Sequence, residues 1–210
     1  HATSKIAAPS DLEAIATLGF RGEALASIAA VSRFAVASRA AGRPHAWRLD
    51  VEGGTVHPVA PAALASGTTV TVEELFYNTP ARRKFLRTET TEWAHCEEAF
   101  RRLALAHPEV GFTLQHNGRA QQRLLPGGRH ARVAALLSGA FADHAARVEA
   151  EAGGVALSGF AVRPAYAAQA TPAQYVFVNG RFVRDRVLAH ALREAYRDVL
   201  HHDRAPSYAL

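Results

Sequence analysis

The chain has 210 residues, 49% of them hydrophobic, and a net charge of +5 from 24 basic and 19 acidic side chains. That length admits one large domain or two modest ones with their own cores, and no apolar run approaches the roughly 18 residues a membrane-spanning helix needs. Cys96 is the only cysteine and no basic-then-apolar start resembles a signal peptide, so secretion is not indicated and a cytosolic protein is expected. With no methionine and an opening on His1 in mid-sequence, the chain is expected to be a piece of something longer. A basic balance suits a polyanionic partner. Lys5 and Lys84 are the only lysines, however, and the Ala- and Arg-rich composition also fits coding bias, so the placement of the charge has to decide.

In chain order, Ser10-Asp11-Leu12-Glu13 has the form of a capping box and predicts a helix closing at Gly19. A second helix is predicted from about Gly22 to Ser32, followed by strands at 33–40, 46–52, 55–60 and 67–75. Thr79-Pro80 reads as an N-cap with proline at the first helical position. A longer helix is expected over 88–106, burying Trp93, Phe100 and Leu103, with Cys96 buried on it as well. Strands at 110–117 and 119–125 should turn at Asn117-Gly118. Pro126-Gly127-Gly128 is the candidate linker, which divides the chain into 1–127 and 128–210. Beyond it are predicted a helix at 130–138, a hairpin around Gly153-Gly154, a strand at 174–178, a turn at Asn179-Gly180 and a helix at 185–200.

Two stretches carry chemistry. In Leu18-Gly19-Phe20-Arg21-Gly22-Glu23-Ala24-Leu25, two glycines three apart lead straight into a helix, whose first amides are unpaired donors at the positive end of a dipole. Such a place suits a phosphate, although the Gly-Lys-Ser/Thr ending of a P-loop is missing, and a plain corner between two helices is the competing reading. On the 185–200 helix, Arg186, His190, Arg193 and Arg197 fall within a stripe about 60° wide. Leu188, Ala191, Leu192, Ala195, Tyr196 and Val199 lie opposite, as on a helix packed against a sheet. Arg181 and Arg184 extend the stripe, while Asp185, Glu194 and Asp198 flank it and could absorb part of its charge. Contact with a phosphate backbone is expected, independent of sequence and sensitive to salt. Arg82, Arg83, Lys84 and Arg87 form a shorter basic run, which a solvated face explains equally well; Phe76, Tyr77, Phe85 and Leu86 beside it are expected in the core. His95-Cys96 and His201-His202 lack the spaced partners of a zinc site.

Three blocks together bear a resemblance. "HATSKI" followed by "LGFRGEALASI", then "GTTVTVEELFYNTPARRKFLR", then "YVFVNGRFVRDRVLAHALREAY", closely resemble in order the signatures of the MutL family of DNA mismatch-repair proteins, within the GHKL ATPase superfamily. The resemblance spans residues 1 to about 200 and implies an α+β fold: part of a GHKL (Bergerat) ATPase sandwich over 1–127, then a ribosomal-protein-like transducer domain over 128–210, incomplete at its C-terminal side. It implies that Thr3, Ser4, Lys5, Gly19, Phe20, Arg21, Gly22, Glu23, Ala24 and Leu25 form a nucleotide lid around the ATP phosphates, and that Thr68 reaches the adenine side. For Arg21 a surface pair with Glu13 or Glu23 stays open, and for Thr68 and Thr69 an ordinary strand role.

The cofactors so implied are ATP and Mg2+. The implied activity is an ATP-driven switch, a slow ATPase that homodimerises and binds DNA non-specifically. It would couple the mismatch-recognition protein MutS to a downstream nuclease or helicase, in the cytoplasm at the nucleoid. The general-base glutamate and the Mg2+-holding asparagine are expected upstream of the HATSK block, so no catalytic or metal residue falls in this chain, which is expected to be inactive alone. The alternative is a non-catalytic DNA-binding scaffold on the same fold.

Overall fold

The computed structural model describes residues 19, 22–167, 172–200 and 205–210. The capping box at Ser10–Glu13 lies outside them. The chain forms two compact units, His1–Thr88 and Glu89–Leu210.

In the first unit, helix α1 (Ala24–Ala29) is followed by strands β1 (Arg33–Arg39), β2 (Ala46–Glu52), β3 (Thr55–Val56), β4 (Ala60–Ala62) and β5 (Gly67–Glu73), then by the short helix α2 (Pro80–Arg83). The sheet runs β3-β2-β1-β5, with β4 also paired to β2. The single strand expected at 55–60 is two short ones, and Pro58, which has no N–H to give a ladder, sits in the break. Phe34 stands opposite Val51 and Val36 opposite Leu49, so alternate residues share one face. Ile28 and Ala29 of α1 cover that face and complete a small core. The same alternation puts Val72 and Val70 opposite Phe34 and Val36 on the other side, yet both are exposed among the described residues. Phe85 is 81% exposed and Leu86 41%, so the expectation that they are core fails; Phe76 and Tyr77 are half-buried. Thr79 precedes α2 as expected but does not cap it, since its backbone is off the usual cap conformation and its hydroxyl is buried without a partner among the described residues.

In the second unit, helix α3 (Glu89–Ala106) leads to a hairpin of β6 (Phe112–His116) and β7 (Arg119–Leu124). The hairpin turns at Asn117 (φ 49°) and Gly118 (φ 74°), as the sequence predicts. The carboxylate of Glu89 accepts from Asn117 Nδ2 at 3.0 Å and meets His116 Nε2 at 3.1 Å, while Trp93 stacks on His116. Those contacts hold the Glu89 carboxyl below its ordinary pKa, the Asn117 hydrogen bond foremost. Helices α4 (Arg129–Leu136) and α5 (Gly139–His144) follow, then a hairpin of β8 (Ala145–Ala152) and β9 (Val155–Val162) turning at Gly153-Gly154. Strands β10 (Gln174–Tyr175), β11 (Phe177–Val178), β12 (Arg181–Phe182) and β13 (Tyr208–Ala209) and helix α6 (Arg186–Tyr196) complete the unit. The strand expected at 174–178 is thus divided at Val176. β10 pairs with β13, and β11 turns at Asn179-Gly180 to pair with β12.

The four-stranded sheet has the order β10-β13-β9-β8. Val133, Phe141, Phe160, Val162, Tyr175 and Ala209 form the main core, and Ala104, Leu124 and Leu136 a second one. On α3 it is Ala104 that is fully buried. Trp93 and Phe100 are half-buried, with Phe100 packed against the second core, but Leu103 is 49% exposed and Cys96 is exposed, so the expected burial fails at those two.

Pro126-Gly127-Gly128, expected as a linker, is tied down. Gly127 N donates to Pro108 O at 2.9 Å. Arg132, only 3% exposed, sends Nη1 to the carbonyls of Ala104 (2.7 Å) and His107 (3.2 Å), and Nη2 to those of Pro108 (2.9 Å), Val110 (2.7 Å) and Leu125 (3.0 Å). One guanidinium therefore binds the end of α3, the loop after it and the segment leaving β7. This clamp places α3, β6 and β7 in the same compact unit as α4, so the packing division falls at 88/89.

Gly159 marks the closest backbone approach in that unit. At φ 152° it lies where a Cβ would stand 2.2 Å from the Ala209 carbonyl oxygen and 2.8 Å from Leu210 Cα. Gly159→Ala is expected to force β9 and β13 apart and to cost about 1–3 kcal/mol. Urea denaturation of the purified chain checks this, and an unchanged midpoint would contradict the close packing.

Candidate functional site

The glycine stretch and the arginine stripe lie in different units. In the first unit, Gly22 and Glu23 form an exposed turn into α1, whose Ala24 and Leu25 are exposed, and no side chain caps the helix. Glu23 is the N-cap residue, with its carbonyl accepting from Ser27 N at 2.9 Å. Gly19 is exposed. Thr3, Ser4, Lys5, Phe20 and Arg21 lie outside the described residues. Thr68 is on β5, opposite Ser38 of β1, and their hydroxyls are 2.8 Å apart. Among the described residues no hydrogen bond joins Thr68 to Gly22–Leu25.

In the second unit, α6 starts at Arg186, where Asp185 Oδ1 accepts from the amides of Val187 (2.8 Å) and Leu188 (2.9 Å). The acid that flanked the stripe in sequence is therefore spent on capping the helix. Arg186, His190, Arg193 and Arg197 are all exposed on one side, as their spacing predicts. They are not equivalent, however. Arg197 pairs with Glu194 at 2.6 Å and lies 3.6 Å from Asp198. Arg186, His190 and Arg193 make no ion pair among the described residues. Arg181 is half-buried and engaged, and Arg184 lies 5.8 Å from the centre of the Phe182 ring.

The apolar side of α6 is less covered than expected. Ala189, Leu192 and Tyr196 are half-buried, but Val187 is 74% exposed, Val199 57% and Leu188 37%. The helix crosses the unit on a narrow line of contact, with Tyr196 Oη donating to Val162 O at 3.2 Å.

Beside α6 opens a groove of about 1050 Å³. Arg186 and Arg193 line one wall, Arg184 lies before the helix, and Arg101 faces them from α3. Glu98 orders the far wall: its carboxylate meets Arg101 (3.1 Å) and Arg102 (2.8 Å) and accepts from Tyr175 Oη (3.0 Å). Burial opposes charge on Arg101, but Tyr175 and Glu98 outweigh it and hold its pKa above the usual value. Burial pushes the phenols of Tyr175 and Tyr208 up, so both remain neutral donors. Four arginines against Glu98 and Asp185 leave the groove positive, which suits an anionic chain rather than a cation. Arg101, Glu98, Tyr175 and Tyr208 come from distant parts of the sequence, and only the Glu98–Arg101/Arg102 helical spacing could have pointed to any of them. No cluster of three or more His, Cys, Asp or Glu that could hold a metal occurs among the described residues.

Residues 133–210 match the family model described as the C-terminal domain of DNA mismatch repair protein. The DNA mismatch repair protein MutL of Thiobacillus denitrificans is 60% identical over 210 residues, covering all of this chain and 35% of that protein. That of Xylella fastidiosa (strain 9a5c) is 54% identical over 212 aligned residues, covering all of this chain and 34% of that protein. The chain thus spans about a third of the length of the curated relatives it matches. Among solved structures, the MutL ATPase domain of Aquifex aeolicus complexed with ADP superposes with a TM-score of 0.68 at 30% identity, over 97% of this chain and 75% of that one. The N-terminal domain of a DNA repair protein reaches a TM-score of 0.71 at 20% identity, over 92% of this chain and 65% of that one, a likeness of fold.

Proposed function

Since the chain belongs to the MutL family of DNA mismatch-repair proteins, we propose that it supplies part of an ATP-binding domain and a DNA-facing domain to a mismatch-repair switch. The fold is α+β, a partial GHKL ATPase unit followed by a transducer domain. As functional domains we divide the chain at 127/128, a reading supported by the family-model match that begins at Val133. The observation that carries the nucleotide reading is the likeness, across 97% of this chain, to an ATPase domain holding ADP.

On this reading, Thr3, Ser4, Lys5 and the stretch Gly19–Leu25 surround the phosphates of ATP, and the uncapped first amides of α1 face them. Thr68 serves the base side through the hydroxyl it now shares with Ser38. Mg2+ and the general base are assigned to no residue of this chain. Arg184, Arg186 and Arg193 contact DNA phosphates along the groove, with His190 beside them and Arg181 and Arg197 at the margins. The described arginines of the groove are placed for phosphates rather than for a base edge, so the contact is read as sequence-independent. In the complete protein two copies associate when ATP binds, and the assembly links MutS to downstream repair enzymes at the nucleoid. No helix among the described residues is long and apolar enough to cross a membrane.

The test is nucleotide binding by the complete protein, followed with a fluorescent ATP analogue and Mg2+. The wild type is expected to bind, and Gly22→Val to weaken binding by at least about tenfold, or ~1.4 kcal/mol, because a β-branched residue obstructs close approach of the backbone to a phosphate. A wild-type protein that binds DNA but no nucleotide would be a scaffold instead.

A further inference from the structure

The far end of α1 is more elaborately held than a six-residue helix requires. The last carbonyls of a helix have no partner within it. Here each is taken. Ile28 O accepts from Val31 N at 3.1 Å and Ser32 Oγ at 2.8 Å, and Ala29 O from Gly54 N at 3.1 Å. Ala30 O accepts from Asn78 Nδ2 at 3.0 Å, Val31 O from Phe76 N at 2.7 Å, and Ser32 O from Gly53 N at 3.1 Å. Two separate turns converge on this point, the β2–β3 hairpin and the Glu74–Asn78 turn after β5.

Making them converge requires unusual backbone. Glu74 (φ 50°) and Phe76 (φ 65°) both stand in the left-handed region, which a bulky aromatic residue rarely adopts. A Cβ on Gly53 would lie 2.7 Å from Tyr77 Oη and 2.8 Å from Asn78 Nδ2. Arg33 ties the two turns together, paired with Glu52 before one and Glu74 in the other (3.1 Å), its guanidinium 5.1 Å from the centre of the Tyr77 ring. The opposite end of α1 has no side-chain cap. Strain accepted where two turns close over a helix end is the mark of a position that matters for more than local packing.

We infer that Asn78 is a positioning residue: through the Ala30 carbonyl it sets the direction of α1, and so the placement of Gly22–Leu25. The inference rests on the nucleotide reading of those residues. Asn78 plays its part through Ala30 rather than as a ligand of the nucleotide. It is the one donor in the cap, other than Ser32, that a side chain supplies, so it can be removed without altering the backbone of either turn.

The experiment uses the complete protein and three readouts: affinity for a fluorescent ATP analogue with Mg2+, amide exchange of Ser27 and Ala30, and affinity for duplex DNA. Asn78→Asp sets an oxygen against the Ala30 carbonyl. It is expected to speed exchange at α1 and to weaken nucleotide binding about fivefold, the equivalent of one lost hydrogen bond counted against the competent population. DNA affinity should stay within about twofold, the scatter of independent sites. Asn78→Gln, which keeps the amide on a longer arm, should recover part of the nucleotide affinity. Faster α1 exchange with unchanged nucleotide affinity would overturn the positioning role, as would unchanged exchange. If Asn78→Asp does not fold, Asn78→Ala removes the donor without opposing two oxygens, and wild-type nucleotide affinity in that variant overturns the inference. A wild type that binds no nucleotide sinks the underlying reading instead.

Discussion

Arg132→Met is expected to destabilise the second unit by about 3–5 kcal/mol, the cost of leaving several buried carbonyls without donors. Methionine keeps the apolar stem but leaves the carbonyls of Ala104, Val110 and Leu125 without a donor, while those of His107 and Pro108 keep only the amides of Val110 and Gly127. Each buried acceptor so orphaned costs about 1–3 kcal/mol unless water reaches it, against a total stability of only about 5–15 kcal/mol for a domain. Burial pulls the pKa of Arg132 below the usual guanidinium value, and Glu109 opposes that pull. The side chain nonetheless stays charged at any physiological pH. Arg132→Lys is not a remedy, since an ammonium has three donors for five carbonyls. Urea denaturation, with amide exchange in α3 and β7 to localise the change, is the measurement. A loss below about 1 kcal/mol, the worth of a single ordinary hydrogen bond, would mean the carbonyls find other partners and that the clamp does not hold the unit together.

Reversing charge at Arg186 and Arg193 together should abolish most DNA binding. Each contact replaced by a like charge costs several kcal/mol. The plot of log affinity against log salt should become shallower by about two, because two phosphates are no longer neutralised. Arg197→Glu is the informative comparison. Its guanidinium already pairs with Glu194 and lies near Asp198, so its reversal should change both quantities far less, although all three arginines share one helical stripe. Equal losses at all three positions would mean that the outer side of α6, rather than the groove, meets DNA.

Local chemistry was legible in the sequence. Asn117-Gly118, Gly153-Gly154 and Asn179-Gly180 all turn hairpins, because only residues at ease with positive φ make two-residue connections. The arginine stripe followed from helical period alone. What period cannot show is what covers a face. Leu188 and Val199 were expected on the apolar side of α6, yet both are exposed, and on that side only Ala189, Leu192 and Tyr196 are half-buried. Phe85 and Leu86 went astray for the same reason. Contacts between residues far apart were invisible as well. Arg132 gave no sign of reaching back 28 residues to Ala104, nor Tyr175 of reaching Glu98, 77 residues away. The block containing Asn78 was recognised by resemblance, but its work at the end of α1 appears only when β1, β2 and β5 are assembled side by side.

The placement of Tyr208–Ala209 between β10 and β9 bears on biosynthesis. The hairpin of β8 and β9 is local and can form as soon as it leaves the ribosome, whereas the strand that joins it to β10 comes about 50 residues later. Until then Phe160 and Tyr175 have no Ala209 to close over them. The nascent second unit must therefore wait with an open sheet edge, the stretch of translation in which it is most exposed to aggregation and to chaperones.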